Sequence, residues 1–145
     1  MNSRPDCIFC SIVSGAIPAE RIYENEHAIA VLDINPIHYG HTLVIPRHHC
    51  KDFLDVPEVA YHSIFQAANV VSKALVEGLK LEGFNIFSNN GTIAGQSVFH
   101  FHLHVTPRYQ DDNIQFILKL KRYANGEKEQ YGALIRQFIQ QSHLT

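Results

Sequence analysis

The sequence predicts an α+β fold built on a mainly antiparallel five-stranded sheet, and three observations carry that prediction. Five short segments have strand character and are separated by Gly, Pro, Asn or Asp, Pro57 to Lys80 has a helical apolar repeat, and Glu127 to Gln141 has a second one. In chain order, Cys7 to Gly15 reads as a short helical turn closed by Gly15. Ile22-Tyr23-Glu24 and His27 to Leu32 alternate as strands, with Asn25-Glu26 as the tight turn between them. Asp33-Ile34-Asn35-Pro36 opens a loop that runs to Gly40, and Thr42-Leu43-Val44-Ile45 is a buried strand stopped by Pro46. The long helix tolerates Pro57 in its first turn, and Ile64, Ala68, Val71, Leu75 and Leu79 recur at spacings of three and four with no breaker before Gly78. Phe84 to Ser88 is the next strand, Asn89 to Gly95 a Gly/Asn loop, and Val98 to Thr106 a strand ended by Pro107. Ile114 to Leu120 is apolar without a decided period, and Leu134, Ile135, Phe138 and Ile139 give the last helix its apolar stripe.

The 145 residues show no repeat, low-complexity tract or linker, so residues 1–145 read as a single domain. With 46% hydrophobic and 18% charged residues the chain is not a disordered one, and a domain of about 150 residues buries roughly 70% of its unfolded surface without needing disulfides. Twelve Lys and Arg against fourteen Asp and Glu leave a net charge of −2, which argues against binding to duplex nucleic acid through phosphate neutralisation. No stretch approaches the roughly 20 apolar residues of a membrane span, and the first residues lack the apolar core of a signal peptide. With three cysteines, an odd number, the expected compartment is reducing and cytoplasmic.

Ten histidines stand out, and seven of them fall within residues 38–49 and 100–104. In Phe99-His100-Phe101-His102-Leu103-His104-Val105 the even positions are histidine and the odd ones apolar, so a strand would anchor the odd set on the core and align three imidazoles on the other face. His100 and His104 would then lie about 13 Å apart, too far for three ligands of one ion. A solvated face would mix Lys, Thr, Glu and Ser instead of repeating one residue. A division of roles remains, in which a neutral imidazole attacks phosphorus while its other nitrogen is held by an acceptor, and a neighbouring histidine donates to the phosphoryl or leaving-group oxygen. Spacing alone does not select the nucleophile. Upstream, Asn89-Asn90-Gly91-Thr92-Ile93-Ala94-Gly95-Gln96-Ser97 offers backbone N–H groups, amides and hydroxyls suited to an anion. Cys7-x-x-Cys10 is a redox pair, half of a zinc site, or two buried apolar residues, with Cys50, His48, His49 and one histidine of the row as further ligand candidates.

Gly95-Gln96-Ser97-Val98-Phe99-His100-Phe101-His102-Leu103-His104-Val105 resembles the signature of the histidine-triad (HIT) proteins. Leu32-Asp33-Ile34-Asn35-Pro36, Gly40-His41-Thr42-Leu43-Val44-Ile45-Pro46 and Cys7-Ile8-Phe9-Cys10 extend the likeness over residues 6–108. The resemblance implies a homodimer in which two sheets join across the long helices, and a hydrolase or transferase that takes a purine nucleotide or nucleoside phosphoramidate as substrate, cleaving at the α-phosphorus of nucleoside 5′-phosphoramidates or adenylates, with His102 as the nucleophile and a covalent nucleotidyl-histidine intermediate. It puts His104 and Ser97 at the phosphate and His41 behind the nucleophile. Asp33 would accept the ribose hydroxyls, Ile8, Phe9, Ile12 and Ile34 would wall the base, and Asn89, Gly95 and Gln96 would complete the phosphate cradle. The zinc-bearing branch, with its galactose-1-phosphate uridylyltransferase relatives, implies a structural zinc on Cys7, Cys10, His49 and His100, with His48 or Cys50 as the substitutes for His49; no organic cofactor is implied. The chain has no tryptophan to close the site from the C-terminal tail, and the region after Arg108 departs from the better-known members. Cleavage of dinucleoside polyphosphates uses the same residues, and a nucleotide-binding regulatory module and a zinc-handling protein are the non-enzymatic alternatives.

Overall fold

The computed structural model describes residues 3–142 and divides into two compact units, with the boundary between Asp112 and Asn113. In the first unit, α1 (Ile8–Ser14) precedes β1 (Arg21–Glu24), β2 (Ala28–Leu32) and β3 (Thr42–Pro46). The long α2 (Glu58–Leu79) is followed by β4 (Gly83–Phe87) and β5 (Leu103–Arg108). Every pairing in the sheet is antiparallel and the order is β1-β2-β3-β5-β4, as the sequence predicts for an α+β fold.

The sheet is covered on both faces, which explains why Ala28 to Val31 are all buried although the residues alternate. Ala28, Ala30, Val44, Leu103 and Val105 pack with Ala60, Ile64, Ala67, Ala68, Val71 and Leu75 of α2. On the other face Ile29, Val31, Leu43 and Ile45 pack with Phe9 and, at the margin, Ile12. Small residues, Ala28 and Ala30 against Ala60, Ala67 and Ala68, bring helix and sheet close together. Leu79 departs from the predicted stripe and is half-exposed, and Pro57 is the N-cap of α2, one residue before its first turn.

The predicted strand from Val98 to Thr106 is corrected to Leu103–Arg108, and Phe99, assigned to the core, is exposed. Residues 98–102 leave the ladder because their polar groups have other partners: the Phe101 N–H donates to the Cys50 carbonyl at 2.7 Å, and the His100 carbonyl accepts from the ring of His102 at 2.7 Å. Pro107 lies inside β5 rather than beyond it. β3 pairs with β5 only from Leu103 to Val105, so the proline's missing N–H falls where that side of β5 has no strand neighbour.

Gly40 has φ of +89°, and a Cβ there would lie 2.8 Å from Leu79 Cδ1 and 3.1 Å from Pro107 Cγ. Gly40→Ala is expected to destabilise the fold by about 2 kcal/mol or more, read from urea unfolding; an unchanged midpoint would show that the turn relaxes without strain.

In the second unit α3 (Glu127–Ser142) is the predicted C-terminal helix. Its start carries a reciprocal cap, with the Glu127 N–H donating to the Ala124 carbonyl and the Ala124 N–H to the Glu127 carboxylate. The apolar stretch Ile114 to Leu120 forms neither helix nor strand.

Candidate active site and metal cluster

All three histidines of the row lie on the sheet face away from α2, but in two separate clusters. In one, His102 donates from Nδ1 to the His100 carbonyl at 2.7 Å. A carbonyl only accepts, so this bond fixes the proton on Nδ1 and leaves the Nε2 lone pair free. This is the selection that spacing alone does not make. Burial pushes the ring's pKa below the usual 6.5, against the opposing effects of the His100 carbonyl and the Asp33 charge, so the neutral form prevails at pH 7. The edge of Phe9 packs on this ring at 4.9 Å between centroids.

The proton on His104 is set through His41. The Ile37 N–H donates to His41 Nδ1 at 3.1 Å, which leaves the neutral His41 ring its proton on Nε2. That nitrogen lies 2.9 Å from His104 Nδ1 and donates to it, so neutral His104 carries its own proton on Nε2. Burial outweighs the Asp33 carboxylate 3.6 Å away and lowers the His41 pKa, while burial and then the neighbouring His102 and His41 push His104 down to about 4. Phe87, opposite His104 in the ladder, stacks on its ring at 4.5 Å and 10°. Sequence reasoning missed Phe87 and the Ile37 N–H, because both depend on register and loop conformation. The resemblance places His41 behind the nucleophile; the structure corrects this and puts it behind His104.

A cavity of about 370 Å³ opens onto this constellation. It brings together Ile8, Phe9, Ile12, Asp33, Ile34, Ser97, His102 and His104, eight of the predicted site residues, and adds Ile17, Pro18, Ala19 and Leu43, which the sequence reading did not single out. Its size lies within the usual range for a small-ligand pocket, and its walls are mainly apolar. The Asn35 N–H donates to Asp33 Oδ1 at 2.8 Å, so Asp33 both starts the turn and presents its second oxygen beside His41.

Asn89, Gly95 and Gln96 do not line this cavity. Gln96 is buried and its amide is committed to the loop: Oε1 accepts from the Gly91 N–H at 2.8 Å, while Nε2 donates to the carbonyls of Lys51 and Val98. The Asn89 amide donates to the Gly95 carbonyl at 3.5 Å, and Gly95 has φ of +91°. These three residues shape the turn that presents Ser97.

The second cluster joins the N-terminal turn to the histidine row. One donor atom each from Cys7, Cys10, His49 and His100 lies within 4.8 Å of the others. His100 is fully buried and donates from Nε2 to the Pro46 carbonyl at 2.8 Å, so its Nδ1 lone pair faces Cys7 Sγ at 3.4 Å and Cys10 Sγ at 3.6 Å. His49 Nδ1 lies 3.3 Å from Cys10 Sγ. Two sulfurs and two oriented imidazole nitrogens at these separations suit a tetrahedral ion with bonds of about 2.0 to 2.3 Å, and the Pro46 carbonyl supplies the outer partner that fixes the His100 tautomer. His48 and Cys50 stand outside this set. Cys50 packs in the core against α2, where burial raises its pKa to about 12.

Residues 14–111 match the model of the HIT domain. An uncharacterized HIT-like protein of Mycoplasma genitalium is 48% identical over 109 residues, which span 75% of this chain and 77% of that protein. The adenylylsulfatase HINT3 of Arabidopsis thaliana is 34% identical over 119 residues, covering 82% of this chain and 60% of that one. The solved structure of SMU.412c from Streptococcus mutans aligns with a TM-score of 0.89 and 36% identity, over 95% of this chain and 88% of that one. A zinc-bound histidine triad family protein from Mycobacterium smegmatis aligns with a TM-score of 0.71 and 39% identity, over 97% and 98% of the two chains. With the paired histidines and the five-stranded sheet already in place, these likenesses make the chain a member of the bacterial-type HIT family.

Proposed function

We propose that this HIT protein cleaves nucleoside 5′-phosphate derivatives at the α-phosphorus through a nucleotidyl-histidine on His102. One observation carries the reading: the Nδ1–H bond of His102 to the His100 carbonyl leaves Nε2 as a neutral nucleophile at the mouth of a nucleoside-sized cavity. The base lies among Ile8, Phe9, Ile12 and Ile34, and Asp33 accepts from the ribose hydroxyls. Nε2 forms a bond to phosphorus as the bond to the leaving group breaks, and the leaving atom takes that electron pair. His104 Nε2–H, with Ser97, donates to a phosphoryl or leaving-group atom. Water then attacks phosphorus and releases a proton to solvent, and the P–N bond returns its electron pair to Nε2. Because the hydrogen bond His41 makes toward the reacting groups goes to His104, we class it as a positioning residue.

The chain belongs to a superfamily of nucleotide hydrolases and transferases. Its leaving group is the finer question, and AMP release from adenosine 5′-phosphoramidate, adenylyl sulfate and diadenosine polyphosphate, followed by chromatography, tests it. Release from at least one is expected. Release from the polyphosphate alone moves the protein to dinucleoside polyphosphate hydrolysis, and AMP binding without turnover on any makes it a nucleotide-binding module.

The pH profile follows from the sign of the shift. A lowered His102 pKa keeps more of the ring neutral on acidification than a free imidazole would, so the acid limb of kcat/KM should be centred below pH 6.5. An acid limb centred above pH 6.5 would contradict a buried neutral nucleophile.

Cys7, Cys10, His49 and His100 are proposed to hold a structural zinc. The ion cross-links the N-terminal turn, which walls the base with Ile8, Phe9 and Ile12, to the segment that carries the nucleophile. A reducing, cytoplasmic setting keeps the thiols available for it, and all three cysteines are free. No helix among the described residues is long and apolar enough to cross a membrane. A homodimer is proposed on the edge strand β4, which among the described residues has no strand on its outer side and exposes Phe84 and Ile86; sedimentation at the mass of one chain would remove it. Within that assembly, residues 1–145 are proposed to act as one functional domain.

A further inference from the structure

A second cavity of about 330 Å³ shares Ile8, Ser97 and Val98 with the nucleoside cavity and is lined beyond them by Arg4, Asp6, Phe99 and two residues of the metal cluster, Cys7 and His49. The two differ in chemistry, since the first is walled mainly by aliphatic side chains and the second has a permanent cation. Arg4 is held there by its backbone. Its carbonyl accepts from the Cys7 N–H at 3.1 Å and its N–H donates to Cys10 Sγ at 3.3 Å, so the cysteine turn fixes the residue on both sides.

A nucleotidyl transfer divides its substrate at phosphorus, and the departing half needs space separate from the nucleoside. The cavity beyond Ser97 supplies that space. We infer that it receives the leaving group and that Arg4 selects an oxyanion there, which makes the preferred substrates nucleoside 5′-phosphoryl mixed anhydrides rather than amine phosphoramidates. This rests on the nucleotidyl-histidine reading. As the His102 Nε2–P bond forms, the P–O bond breaks, and the leaving oxygen takes its electron pair and departs as an anion. No proton is required when the leaving group is the anion of a strong acid. Asp6 lines the same cavity and opposes negative charge, so it and Arg4 act with opposite sign.

The test compares kcat/KM for adenylyl sulfate with that for adenosine 5′-phosphoramidate in the full chain. Arg4→Ala is expected to lower the sulfate-to-amidate ratio about tenfold, Arg4→Lys to keep part of it, and Asp6→Asn to raise it. A general loss of folding moves both substrates together and cannot give opposite signs. An unchanged ratio in Arg4→Ala, or the same direction for Arg4→Ala and Asp6→Asn, overturns the assignment. The same ratio read as Kd on a His102→Ala background separates the two ideas. Arg4-dependent selectivity in binding, with no turnover by the wild type, supports the anion subsite and overturns the catalytic reading alone. Turnover with an Arg4-independent ratio overturns the subsite alone, and failure of both nucleotides to bind overturns both.

Discussion

His102→Ala is expected to lower kcat/KM by on the order of 10⁴-fold or more, with AMP affinity changing by less than about tenfold. The contrast arises because the His102 ring contributes the attacking lone pair but only one wall of the cavity. Ile8, Phe9, Ile12 and Asp33 remain to hold a nucleoside. His41→Ala tests the neighbouring relay, with a smaller loss of about 10- to 100-fold, mainly in kcat, because it frees the proton position of His104 without removing the nucleophile. Steady-state kinetics and calorimetry measure both. A His102→Ala enzyme within tenfold of wild type would mean that a different group attacks phosphorus.

Removing the metal ligands should produce the largest effect on stability. Chelation, or Cys10→Ala, is expected to destabilise the first unit by at least about 3 kcal/mol, or roughly 10 °C in Tm for a chain of this size. Cys10 and His100 are buried, and without an ion the two sulfurs and two ring nitrogens of the cluster face one another across 3.3 to 3.6 Å with no charge at the centre. Elemental analysis should find one zinc per chain, and Cys50→Ala should leave that number unchanged, because Cys50 belongs to the core under α2. A full complement of zinc in Cys10→Ala, or loss of zinc in Cys50→Ala, would reassign the ligands. More than one tightly held zinc per chain would favour metal handling.

The sequence made the α+β class legible because each strand is bounded by turn residues and α2 keeps its apolar spacing across about four turns. The alternation in the histidine row also marked a true face: Phe101, Leu103 and Val105 point to α2, and the histidines point away. The end of strand pairing was not legible. That depends on Cys50 lying opposite Phe101, a contact between distant segments, and on the His102 ring taking the His100 carbonyl within the row, and neither has a signal in the residue pattern. Tautomers were hidden for the same reason, since each is set by a backbone group, at Pro46, His100 or Ile37. Gln96 shows the limit from the other side. Its amide suits a phosphate, yet three loop groups already claim it.

The most direct test of the account is a rapid alkaline denaturing quench, which preserves a P–N bond, of wild-type protein turning over an adenylyl substrate, followed by peptide mass spectrometry. The account predicts an adenylyl adduct on the peptide containing His102, with the modification on its Nε2, formed within one turnover and absent from His102→Ala. A full burst of AMP with no adduct, or an adduct on His104 or His41 in place of His102, would contradict it.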